Sequence, residues 1–154
     1  MAVFNILKLS ELEGARRIDA EYYKPEYIEI KQKLLKKNFV YFKNLVKEII
    51  HPKEIKREYE EKGNYIFLLA QNVRPLMLDF SEKRFISEKK AKQMPKNILE
   101  KGDILLVRTG TIGDVAIYMG EPNKVVASAH ILIARPNFTI SPIYLSVFFS
   151  TFFG

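Results

Sequence analysis

Apolar positions recur along this chain with two different periods. Between Pro25 and Lys37, the residues Tyr27, Ile28, Ile30, Leu34 and Leu35 share one side and Glu and Lys residues the other. That spacing predicts an amphipathic helix. Pro25 suits its first turn, Glu and Lys four apart support its solvated face, and Asn38-Phe39 ends it. VYFKNLVKEII (40–50) predicts a short strand or a further helical turn, broken at His51-Pro52. A polar, turn-rich stretch closes at Gly63-Asn64. Tyr65 to Ala70 is apolar enough for a central strand. It stops at Gln71, Asn72 and Arg74, just before Pro75, which forbids ordinary central pairing. KRFIS (83–87) predicts another short strand, with Ser87 capping the helical turn EKKAKQM.

Beyond this point the pattern is mostly strand. Ile104–Val107 follows a Lys101-Gly102-Asp103 turn, DVAIYMG (114–120) follows a loop at Thr109–Gly113, and Glu121–Lys124 forms another turn. VVASAHILIARP (125–136) reads as one apolar stretch with Ser128 and His130 embedded in it. SPIYLSVFFSTFFG (141–154) predicts a helix with Ser141 as N-cap and Pro142 at the first position. It is apolar nearly all round, the pattern of a helix covered by something. The fold class expected is α+β: a curved, mixed or antiparallel sheet, partly closed and barrel-like, with flanking helices. Gly102, Gly110, Gly113 and Gly120 lie where such a sheet must turn. Residues 1–38 are expected to form an extended segment and helix leading into a β-rich domain over 39–154.

Composition narrows the function. The chain has 154 residues and a net charge of +7, which allows a real core and favours an anionic partner such as nucleic acid or a membrane surface. The densest basic stretch, KRFISEKKAKQMPK (83–96), sets Lys83, Arg84, Lys89, Lys90, Lys92 and Lys96 against Glu88 alone. Such a run is either a solvated helix face or a phosphate-contacting patch. Cysteine is absent, which excludes disulfides, thiol nucleophiles and thiolate metal sites. The histidines, His51 and His130, are far apart and outside any HExxH arrangement, so no metal is expected. No cofactor is expected either. The start of the chain lacks the apolar core of a signal peptide, and no apolar run reaches the ~18 residues of a membrane span. The expectation is a cytoplasmic protein with no membrane partner.

Catalytic arrangements are missing. There is no Asn-Pro-Pro-Tyr or Asp-Pro-Pro-Tyr run of an amino-methylating DNA methyltransferase, no GxxxxGK[ST] loop and no GxSxG elbow. GTIG (110–113) is too short for a dinucleotide fingerprint and joins two strands. A Ser/Lys hydrolase using a serine such as Ser128 stays open, because that pairing needs no local motif. The expectation is a binder and not an enzyme.

The stretch GDILLVRTGTIGDVAIYMG (102–120) places a charge, two hydroxyls and two glycines between apolar strands. Gly110 and Gly113 allow a tight turn. Arg108 can fork onto guanine or grip a phosphate, and Thr109 and Thr111 offer hydroxyls to base edges or phosphates. The alternative is an ordinary glycine hairpin with an incidental arginine. Gln71, Asn72 and Arg74 carry base-reading chemistry, or form a polar turn. Arg84, Lys89, Lys90 and Lys92 suit phosphates better than bases. His130 is either a satisfied core histidine or a contact residue. Tyr22, Tyr23 and Tyr27 suit packing of the first helix better than base stacking.

These residues also carry a resemblance. Gly102–Leu105, Arg108–Gly113 and Ala127–His130 resemble, in order, the Gly-Asp-Ile-Leu strand, the Arg-x-Gly-(Thr/Ser)-(Ile/Val)-Gly loop and the Ala-x-Ser-x-His-like strand of type I restriction–modification specificity subunits. The likeness is to their target recognition domain. RIDAEYYKPEY (17–27) and YIFLLAQNVRP (65–75) are also similar to that family, and the resemblance spans roughly Arg17 to Phe149. It implies a non-catalytic module that reads one half of a split target in double-stranded DNA. Methyltransferase and restriction subunits would be its partners. Family members usually hold two such domains joined by long helices. This chain resembles one domain with the spacer helix missing, as in a truncated product or a half-subunit, and its apolar last helix suggests self-association. The runner-up is an RNA- or single-strand-binding β-rich domain using aromatic stacking.

Overall fold

A computed structural model describes residues 6–12, 20, 22–54, 56 and 58–151. These fall into two units, the residues up to Val40 and those from Tyr41 on. In the first, α1 spans Pro25–Leu35, with Pro25 in its first turn as the pattern predicts. Glu29 and Lys33 pair at 2.7 Å on its solvated side, and Tyr22 and Tyr23 meet edge to face. None of the helix is fully buried. Part of the 17–27 segment singled out above, and the last three residues of the predicted C-terminal helix, lie outside the described residues.

The second unit holds strands β1 (Val46–Ile50), β2 (Tyr65–Leu68), β3 (Val73–Arg74), β4 (Met77–Leu78), β5 (Phe85–Ile86), β6 (Ile104–Val107), β7 (Val115–Ile117), β8 (Val125–Ala127) and β9 (Ile131–Pro136). Helices α2 (Glu88–Lys92) and α3 (Pro142–Phe149) complete it. One sheet runs β1-β9-β6-β7, a second runs β5-β2-β8, and β3-β4 is a small hairpin. The first sheet is antiparallel throughout. In the second, β2 pairs β5 antiparallel and β8 parallel. The class is α+β, as expected.

Strands β2, β6, β7 and β8 are apolar without alternation because both of their faces are covered. In β6, Leu105 and Val107 enter the main core together with Ile66, Leu68, Val125, Ala127, Ile131 and Ile133, so this core lies between the two sheets. Ile104, with Val115 and Ala134, turns the other way against Leu145 of α3. In the second sheet Phe67 and Val126 point outward to Ala91 and Met94, which α2 and the turn after it supply. The order is therefore α3, first sheet, second sheet, α2.

Two expectations change. VYFKNLVKEII forms both a 3₁₀ turn at Phe42–Asn44 and strand β1. VVASAHILIARP is two strands, not one. β8 belongs to the second sheet and β9 to the first, so the chain must cross between them. Ser128–His130 is that crossing: Ser128 N–H donates to Leu68 O at 2.9 Å, and Ile131 N–H to Ser128 O at 3.1 Å. His130 is thus a half-buried turn residue and not a strand residue. Ser87 caps α2 as predicted, accepting from Lys90 N–H at 3.3 Å. Ser141 takes the N-cap place of α3 but makes no side-chain capping bond. α3 buries Leu145 and Ser146 while Ile143, Tyr144 and Val147 stay exposed, so one side only is covered.

Two polar ties fix the loops around this core. Asp103, buried beside the start of β6, receives Arg135 of β9 in a two-pronged contact, Nε to Oδ1 and Nη2 to Oδ2, both 2.9 Å. Asp103 Oδ2 also accepts Glu100 N–H at 2.8 Å. Arg135 donates to Ile98 O at 3.2 Å and pairs Glu100 at 2.7 Å. These hydrogen bonds to Asp103 hold the guanidinium proton more tightly still, raising its pKa. Asn97, equally buried, accepts Lys53 N–H and donates to Lys53 O, both at 3.0 Å, and donates to Ala127 O at 3.1 Å.

Asn97→Ala should therefore destabilise the chain by about 2–3 kcal/mol in urea unfolding, because it strands buried backbone groups. Asp103→Ala should cost about 3 kcal/mol by removing the two-pronged, buried partner of the Arg135 guanidinium and leaving it only the exposed Glu100 carboxylate as an ion-pair partner. The double variant Asp103→Leu/Arg135→Leu should lose less than the sum of the losses of Asp103→Leu and Arg135→Leu; a strictly additive double variant would show that the pair does not act as a unit.

Candidate nucleic-acid interface

The parallel pair β2 and β8 leaves its sheet at Leu68 and Ala127. At that end β8 runs into the Ser128–His130 turn, and β2 into a 3₁₀ turn at Ala70–Asn72 and then the β3-β4 hairpin. The loop between β6 and β7 reaches the same place. Arg108 N–H donates to His130 O at 2.9 Å, and Leu76 N–H, at the hairpin tip, donates to Val115 O at 2.7 Å. Three segments distant in sequence thus meet at one end of the two sheets.

The loop itself is closed by Val107 N–H to Asp114 O at 3.0 Å and, within it, Ile112 N–H to Gly110 O at 2.9 Å. Gly110 and Gly113 have φ of 97° and 102°. A Cβ at either would meet nothing within 4 Å. The demand for glycine here is conformational, and the space around the loop is open. Arg108, Thr109 and Thr111 are exposed. The Arg108 guanidinium makes no ion pair or hydrogen bond among the described residues. Thr109 Oγ1 lies 2.5 Å from His130 Nδ1.

The other expected site residues divide. Gln71 and Arg74 are exposed beside this end. Asn72 is not a surface group. Its Oδ1 accepts Leu69 N–H at 3.0 Å, and its Nδ2 donates to Asp79 O at 3.1 Å and Glu82 O at 3.4 Å. Both ends of the amide are committed to shaping the 3₁₀ turn and hairpin, so the expected pairing of Asn72 with adenine is withdrawn.

The basic stretch lies elsewhere. α2 begins beside the opposite ends of β2 and β8, where the Glu88 carboxyl is held below its usual range by its hydrogen bond to Lys92 and, to a smaller extent, by the Lys124 ammonium. Lys90 is tied inward: its ammonium pairs Glu58 at 2.6 Å and reaches the carbonyls of Lys56 and Glu58, both at 3.4 Å. Its hydrogen bond is the main reason that the Glu58 carboxyl is held below its usual range. Lys92 pairs Glu88 at 2.8 Å across an exposed helical turn, an interaction weak enough to exchange for another anion. Arg84 lies over the Tyr59 ring at 5.7 Å. Lys89 is exposed. As a structural correction, Lys90 is a tie between segments and not a free phosphate holder.

Sequence reasoning missed the apolar rim of the loop end, Leu76, Met77 and Ile112, of which Ile112 is 77 % exposed. Ile112 stood inside the quoted loop, yet the hairpin tip gave no signal of its own. Leu76 takes a positive φ of 65° that sequence pattern does not announce. Ser128, the candidate nucleophile, is buried, and its Oγ has no hydrogen-bond partner among the described residues.

No protein-family model and no curated protein matches the chain. Solved structures do. A chain from a structural study of complex assembly and conformational transition of the type I R-M system aligns with a TM-score of 0.55 at 14% identity, over 71% of this chain and 26% of that one. The HsdS subunit from Thermoanaerobacter tengcongensis aligns with a TM-score of 0.51 at 12% identity, over 80% of this chain and 32% of that one. The chain thus spans about a quarter to a third of the length of these structures. At these identities the likeness is one of fold: this chain folds as a part of the HsdS subunit does.

Proposed function

We propose that this chain is a non-catalytic, sequence-reading module for double-stranded DNA, of the kind found in type I restriction–modification specificity subunits. It would read one half of a split target on behalf of methyltransferase and restriction subunits. One observation carries the reading: the Arg108–Gly113 loop, the Ser128–His130 turn and the β3-β4 hairpin converge at one end of a fold shared with HsdS. Convergent loops on a rigid double-sheet base are suited to entering a groove. Arg108, exposed at that end and with a guanidinium that makes no ion pair or hydrogen bond among the described residues, would fork onto guanine O6 and N7. Gln71 and Arg74 flank it. Lys89 and Lys92 supply charge for phosphates farther along a duplex, the sequence-independent part of the affinity.

The single-strand reading gains nothing from the fold. It asks for aromatic rings spread on an open sheet face, whereas both sheets are covered on both faces by apolar side chains.

Arg108→Ala should relax preference at one base position by about 1–3 kcal/mol and leave the rest of the motif intact, as read by selection from a randomised duplex library. Equal losses on all sequences would make Arg108 a phosphate contact. Lys89→Ala should weaken every duplex alike and lower the salt slope of binding by about 1. An unchanged slope would remove α2 from the interface.

A further inference from the structure

One side-chain contact at the loop end joins residues 21 positions apart in the chain, Thr109 Oγ1 and His130 Nδ1, at 2.5 Å. The main chain supports it: the neighbouring Arg108 N–H donates to the His130 carbonyl at 2.9 Å. The imidazole is therefore set relative to Thr109 by the way the two loops are tied. Thr109 is exposed while His130 is half-buried, so the hydroxyl is the member of the pair that meets a ligand.

A threonine hydroxyl holds one hydrogen and two lone pairs, and when unconstrained it rotates to serve donors and acceptors alike. A hydroxyl that donates its hydrogen to Nδ1 leaves the proton of the neutral imidazole on Nε2. It then faces outward as an acceptor only. In the major groove adenine and cytosine present amino donors, N6 and N4, where thymine and guanine present the acceptors O4 and O6. Against O4 or O6 a locked acceptor leaves two oxygens facing each other with no proton between them.

We propose that His130 is a positioning residue that fixes Thr109 as a hydrogen-bond acceptor, so that the loop selects a base with an exocyclic amino group at one position of its target. This rests on the duplex-reading function proposed above. Arg108 complements it. Its guanidinium only donates, so adjacent residues of one loop offer opposite hydrogen-bonding characters and prefer different bases.

The test is selection from a randomised duplex library with the full chain and four variants: His130→Ala, His130→Asn, Thr109→Val and the double Thr109→Val/His130→Ala. The wild type should favour adenine or cytosine over guanine and thymine about fivefold or more at one position. His130→Ala should reduce that preference to less than about twofold while the other positions hold. His130→Asn, whose Oδ1 keeps an acceptor close to the place of Nδ1, should retain it. Thr109→Val should lose it, and the double variant should lose no more. Because Thr109 is exposed, its valine variant reads the same preference without depending on how residue 130 packs. An unchanged profile in His130→Ala, equal profiles for Ala and Asn at 130, or losses at every position would overturn the positioning role alone. Retention without any motif, or no retention by the wild type, would overturn the duplex-reading function and this inference with it.

Discussion

Strand β6 is the constraint on which the second unit rests. It is paired on both edges, to β7 and to β9, and covered on both faces, by the second sheet and by α3. A short strand fixed on four sides has no freedom of register, since a slip by one residue would exchange its two apolar faces and break both pairings. One end is locked by the Asp103–Arg135 fork, which ties the approach to β6 onto β9. The other end runs directly into Arg108. The precision with which the loop is presented is therefore inherited from the most confined element of the fold.

The two ends of the double sheet take different roles. At the loop end, backbone bonds from Arg108 to His130 and from Leu76 to Val115 hold three connections together while Gln71, Arg74, Arg108, Thr109 and Thr111 stay exposed. At the α2 end, charge is dense but partly committed, with Lys90 on Glu58 and Lys92 on Glu88. Shape and hydrogen-bonding character are concentrated at one end, and long-range positive charge lies along the flank. That division suits a ligand with a repeating anionic backbone and variable edges.

Much of this was legible in the sequence, for physical reasons. Pro25, Ser87 and Pro142 marked helix starts because backbone geometry at a first turn is a local matter. Gly102, Gly110, Gly113 and Gly120 marked turns because all four take positive φ. The crossing at Ser128–His130 was hidden because β8 and β9 are both largely buried apolar runs, so the short polar break at Ser128 and His130 reads as an interruption within one strand. Asn72 and Lys90 were misjudged for a related reason. A side chain's reach says what it can bond, but only tertiary packing says whether a nearby carbonyl or carboxylate has already taken it. The Asp103–Arg135 fork joins residues 32 apart, and no local pattern signals such a pairing.

The central claim is that the loop end is the face that meets DNA. Amide chemical shifts of the isotopically labelled chain, followed on adding a duplex pool at low salt, test it most directly. The account predicts that the largest changes fall on Arg108–Gly113, His130 and Leu76-Met77, with lesser changes at Lys89 and none on α3. Changes centred on the exposed side of α3, or no changes on the glycine loop while the duplex is bound, would contradict it.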